Sequence, residues 1–145
     1  MAHLVQNAQI ISAFVPVDLQ DGANDGDWVN MENHNHVAVV FFKAAGTAGD
    51  DPTLTITQAT DNSGSGEKAL NFTRVYTKTG AQTSTTQFTV VDQSAANTYT
   101  DATSAEAQAI WVVEIDAQDL DVTNGFTHVQ ASVADVGTNA QLGCY

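Results

Sequence analysis

Basic residues are scarce in this chain. Four Lys and Arg stand against 17 Asp and Glu, for a net charge of -13 over 145 residues. So acidic a surface repels phosphate backbones and anionic lipid alike, so neither nucleic acid nor a membrane is an expected partner. It favours solubility and a partner that carries positive charge. Charge of either sign is sparse, at 14% of residues against ~25% in an ordinary globular protein. The single cysteine, Cys144, has no partner for an intrachain disulfide, so an oxidising compartment is not implied. The opening stretch MAHLVQNAQIISAF has neither a basic n-region nor an unbroken apolar run. Neither a signal peptide nor a transmembrane segment is expected, and the chain reads as made in a reducing cytoplasm.

What is present is strand chemistry. The length suits one domain, residues 1–145, and 43% hydrophobic content suffices for a core. In TLTITQAT, Leu54 and Ile56 alternate with Thr53, Thr55 and Thr57. In ALNFTRVY, Leu70 and Phe72 alternate with polar residues until the pattern shifts at Arg74–Val75, which predicts a bulge. QFTVVD places Phe88 and Val90 on one side, AIWVVEID places Trp111, Val113 and Ile115 together, and FTHVQASVADV does the same with Val129, Ala131 and Val133. HVAVVFFKA is apolar on both faces, as expected of a strand covered on both sides. Gly-, Asp- and Asn-rich stretches such as TDNSGSGE and VTNG punctuate these runs. Many short strands with such turns predict an all-β fold: a single antiparallel β-sandwich, jelly-roll-like or immunoglobulin-like. Residues 1–20 read as an extended arm or edge strand. A short helix from Ser104 to Gln108, capped by Ser104, is the one helical expectation.

No catalytic set converges. His34 and His36 in NHNH would share one side of a strand and could present two imidazoles to a metal, with His128 or Glu32 as third ligand. The plainer reading makes ENHN a turn between a strand at Trp28–Met31 and a long strand from His36, with Asn at a left-handed position. Asp21, Asp25, Gly26 and Glu32 fall in register with a calcium loop, but Ala23 stands where a ligand oxygen belongs, and the upstream segment with Pro16 reads as extended. A surface loop is the favoured reading there. Glu114, Asp116, Asp119 and Asp121 could supply a paired-acid site but fit a solvated strand end. Catalytic residues, bound cofactors and a metal are all expected to be absent. Trp28, Phe41, Phe42, Phe72, Phe88 and Trp111 are assigned to the core by their alternation; Tyr76, Tyr99 and Tyr145 are candidate stacking or interface aromatics.

Two segments carry a resemblance. WVNMENHNHV (Trp28 to Val37), the apolar strand Ala38 to Phe42, the Gly-rich turn Ala45 to Gly49 and TLTITQA (Thr53 to Ala59) form one; WVVEIDAQDLDVTNGFTHVQASVADVG (Trp111 to Gly137) forms the other. Together they resemble small all-β virion proteins encoded near the major capsid gene of tailed bacteriophages. The resemblance implies a capsid decoration, or cement, protein. Such a protein is a β-sandwich on the outside of the head, commonly a trimer, with the major capsid protein as partner. The arm would join a neighbour by strand addition. His34 stands where the pattern often has Tyr; if an aromatic there makes an interface, His would weaken that contact or make it depend on pH. The alternatives are a carbohydrate-binding or adhesion sandwich, predicting a flat strip of exposed aromatics, and a cupin-type metal enzyme built on His34 and His36, for which the downstream ligands are missing.

Overall fold

The computed structural model describes residues 3–80, 87–101 and 107–145. Two antiparallel sheets pack face to face around one core, the expected β-sandwich. The first sheet runs β1 (Val17–Asp18), β12 (Leu142–Cys144), β4 (His36–Lys43), β10 (Ala109–Asp116), β7 (Phe72–Thr79) and β8 (Thr89–Ala96). In the second, β11 (His128–Val133) and β5 (Thr53–Ala59) lie side by side. The outer edge of β11 is shared by β2 (Asn24–Asp25) and β3 (Val29–Asn30), and that of β5 by β6 (Lys68–Ala69) and β9 (Thr98–Thr100). Six strands thus fill four columns.

The alternations place the core as expected. Leu54 and Ile56 of β5, Val129, Ala131 and Val133 of β11, and Trp111, Val113 and Ile115 of β10 all point inward and are buried. Leu19, Met31, Leu70, Leu120 and Val136 close the ends of the sandwich from its connections. Trp111 sits at the centre. Its ring meets Tyr99 edge-on at 5.0 Å and Phe41 at 5.2 Å. Tyr99, expected nearer the surface, is therefore a core residue, and burial beside Asp101 pushes its hydroxyl pKa up to about 12. The bulge is real: the β7–β8 register slips between Phe72 and Arg74. It lets Phe72 and Val75, three residues apart, both face inward.

Several expectations need correction. β4 is not covered on both faces. Val37, Val39 and Phe41 face the core, but Phe42 stays 46% exposed on the other side. Phe88 faces outward too, at 40% exposed, while Val91 packs inward. Lys43, in the apolar run, points inward and its Nζ donates to Ala107 O at 2.6 Å. The segment from Asp21 to Glu32 is not wholly a surface loop. Residues 24–25 and 29–30 pair with β11 as β2 and β3, and bends, turn and irregular backbone make up the rest. The arm is not wholly extended, because Leu4–Asn7 forms one α-helical turn, α1. Residues 17 and 18 pair with β12, so the N-terminal region is part arm and part edge strand. The helix expected at Ser104–Gln108 falls mostly on residues outside those described. No helix among the described residues is long and apolar enough to cross a membrane.

Gly26 shows how tightly the N-terminal edge is fitted. A Cβ there would lie 2.5 Å from Tyr145 Cε2 and 3.0 Å from Ala131 O. Its N–H donates to Ala131 O, and its carbonyl accepts from Gln130 Nε2. Gly26→Ala should therefore lower the melting temperature. Trp111→Ala should cost about 3–5 kcal/mol in denaturant unfolding, whereas Val112→Ala, one residue on but facing outward, should cost below about 1 kcal/mol. Equal costs would mean that β10 does not divide into inner and outer faces.

Candidate interaction surface

The outer side of the first sheet follows directly from its registers. Cys144, Phe42 and Ile110 are cross-strand neighbours on β12, β4 and β10, and Ile110 in turn opposes Lys78 of β7. The next row is Val40, Val112, Tyr76 and Val90, crossing β4, β10, β7 and β8. Side chains two apart on a strand share a face, so both rows point away from the core. Leu142 extends the patch on β12. Among the described residues nothing shields it: Phe88, Val90 and Leu142 stay 40%, 49% and 57% exposed. At about 4.8 Å between strands, the rows span roughly 19 Å across five strands. So many apolar side chains on one outward face, broken in its rows by Lys78 and the Tyr76 hydroxyl, are uncommon on a protein with no partner.

Further along the same strands the face turns polar. Glu114 and Asp116 follow Val112 on β10, and His36 opposes Asp116 across the ladder. His36, Arg74, Tyr76, Glu114, Asp116 and Asp119 line an open depression of about 250 Å³. A second hollow, lined by Tyr76, Phe88, Val112 and Glu114, shares two of those residues. One shallow groove therefore runs from the acidic end into the apolar rows. His36 Nε2 lies 4.0 Å from Glu114 Oε2. Asp119 Oδ2 accepts the Asp116 N–H at 3.1 Å, which fixes the turn after β10. Arg74 Nε donates to Asp92 Oδ1 at 2.7 Å. That guanidinium holds the Asp92 carboxyl below the usual carboxylate range.

The positions singled out as site candidates do not converge. His34 is in the turn, where its N–H donates to Met31 O at 3.0 Å, and only His36 is on the strand. Asn33 is left-handed, with φ 66°, as the turn reading expected. The connection is a switch between sheets, because β3 pairs in the second and β4 in the first. Of Asp21, Asp25 and Glu32 only Asp25 is in a strand, β2; Asp21 lies in the bend before it, and Glu32 lies in the turn after β3, where its N–H donates to Asn30 Oδ1. His128 is in β11 of the second sheet, where its Nδ1 contacts Thr127 Oγ1. Among the described residues no group of three or more His, Cys, Asp or Glu is placed to hold a metal. Asp121 is taken up structurally. Lys68 and the Asn124 amide contact its carboxylate, and Lys68 above all holds its pKa down.

The arm is the second exposed feature. Residues 3–12 are all exposed, with Leu4, Val5, Ile10 and Ile11 among them. It is rooted just beyond. Phe14 N–H donates to Tyr145 O, Asp27 N–H donates to Ala13 O, and the Phe14 ring stacks on Tyr145 at 5.0 Å. Tyr145 donates its hydroxyl to Asn24 O at 2.6 Å. Burial pushes its pKa up, so the hydroxyl stays protonated at neutral pH. Tyr145 is thus the arm's anchor and not a stacking platform.

Sequence reasoning missed the apolar face because it read a doubly apolar strand as doubly covered. Alternation within one strand shows which side chains share a face and carries no signal of what covers it. Comparison with known proteins assigns no family, since no family model, curated protein or solved structure matches the chain.

The Arg74–Asp92 pair carries a prediction. A depressed folded-state pKa means that the contribution of Asp92 is complete above the ordinary carboxylate value of about 3.9 and fades as pH falls through the lower folded value. In an NMR titration the Asp92 carboxyl carbon should change below the usual range, and Arg74→Gln should return it there.

Proposed function

We propose that this chain is a structural virion protein that binds the outer surface of a tailed-phage head and stabilises the capsid. It works by adhering and not by catalysis. The observation that carries this reading is the arm: residues 3–12 expose four large apolar side chains that the body leaves unburied. A segment of that composition gains its burial from another chain. The longest open edge available to it is β8, which among the described residues pairs only with β7. An arm of one copy adding to β8 of the next is a head-to-tail contact, and such contacts close into rings when the rotation allows. A trimer formed this way would present several capsid-binding faces at once, so weak single contacts with the major capsid protein would suffice. The protein would be made in the host cytoplasm and reside on the capsid exterior.

Carbohydrate adhesion is the second reading. Phe42, Tyr76 and Phe88 do face outward on one sheet, but aliphatic side chains separate them, and Lys78 Nζ sits 4.8 Å over the Phe88 ring, where a sugar would stack.

Mass spectrometry of purified virions tests the leading reading. Hundreds of copies per head are expected; a handful would point to the tail, and none would reject it. Deleting residues 1–12 should shift the melting temperature by less than about 2 °C, because residues 3–12 are all exposed. The same deletion should abolish oligomers in analytical ultracentrifugation. Oligomers that persist would remove the arm from the assembly.

A further inference from the structure

We propose that the outer face of the first sheet docks a segment of a different protein: an apolar strip flanked by Arg or Lys side chains. This rests on the reading of the chain as an adhering module, though not on which assembly it joins.

The face has two halves on the same strands. Phe42, Val112 and Val90 represent the apolar half, and Glu114, Asp116 and Asp119 the acidic half. The two hollows share Tyr76 and Glu114, so one ligand lying along the strands would touch both. Apolar contact provides burial, and the acidic end selects a cationic partner and fixes its direction.

A second copy of this chain is a poor occupant, and the reason is charge. All four basic side chains are committed within the molecule. Lys43 is buried with its Nζ on Ala107 O; Lys68 contacts Asp121; Arg74 pairs with Asp92; Lys78 lies over Phe88. A copy brings 17 acidic side chains and no Lys or Arg beyond those four. Its arm supplies apolar side chains, but residues 3–12 hold no Lys or Arg for Glu114 and Asp116, with His3 the one imidazole. Homotypic docking would therefore set acid against acid at one end of the groove. Nucleic acid and anionic lipid meet the same repulsion. The complement that fits both halves is a polypeptide with alternating apolar residues and a basic end.

The test uses the full chain and three synthetic peptides. One alternates Val and Ile and ends in three Arg. The second has Glu in place of Arg. The third is residues 3–15 of this chain. Binding is followed by calorimetry and by backbone amide shifts. The expected result is that the Arg peptide binds and moves the amides of Phe42, Val112 and Glu114. It should bind at least about tenfold more weakly to Glu114→Lys and to Phe42→Ser. It should also weaken as salt rises from about 50 to about 500 mM. Both positions are exposed, and unchanged melting temperatures would show that the variants fold. Equal binding of the Glu peptide, tighter binding of the 3–15 peptide at this face, or no shift with the Arg peptide would each overturn the inference. Those failures would leave the virion reading to its own copy-number measurement.

Discussion

The two-residue alternation of β10, held between β4 and β7, is the constraint on which the rest depends. Its eight residues pair with β4 along their whole length, from Ala109 opposite Lys43 to Asp116 opposite His36. A slip of one residue would turn Trp111, Val113 and Ile115 out to water and bring Glu114 and Asp116 into the core. The hydrophobic effect thus locks the register. Once it is locked, Val112, Glu114 and Asp116 have no freedom either: the ladder that buries Trp111 must present those residues on the far side. Core and interaction surface are two faces of one decision.

Charge then divides the exterior. With so few cations, Lys43, Lys68 and Arg74 each contact a group of the same chain, and the charge left on the exterior is predominantly acidic. The arm and the outer face of the first sheet share an apolar character but differ in what flanks it. The arm has little charge, whereas the sheet face ends in carboxylates. That difference supports two separate roles, one between copies and one toward a foreign partner.

Much of the fold was legible in the residues. Thr and apolar side chains alternate so regularly in β5 that its buried face could be read without coordinates, and the shift at Arg74–Val75 marked the bulge. Asn33 announced a left-handed turn. Other features were not legible, for physical reasons. Alternation tells which side chains share a face but not whether anything covers it, so Phe42 and Phe88 were placed in the core when the sheet leaves them outside. Of the β2–β3 edge, β3 lies within the strand expected at Trp28–Met31, whereas β2 is a short polar stretch that read as loop, and only pairing with β11 makes it strand. Lys43 is buried because its long stem reaches a carbonyl distant in sequence, which no local pattern encodes. Of the interaction surface, its composition was visible in HVAVVFFKA and AIWVVEID, but its assembly across five strands required the strand order.

Thiol labelling along β10 tests the central claim most directly. In a Cys144→Ser background, Val112→Cys and Val113→Cys would be probed in the free protein and, as the proposed function requires, after it is added to phage heads. The expected result is rapid labelling at 112 in the free protein, protection of 112 on the head, and protection of 113 in both. Labelling of 113 in the folded free protein, or of 112 at the same rate in both states, would contradict a sheet with one face for the core and the other for a partner.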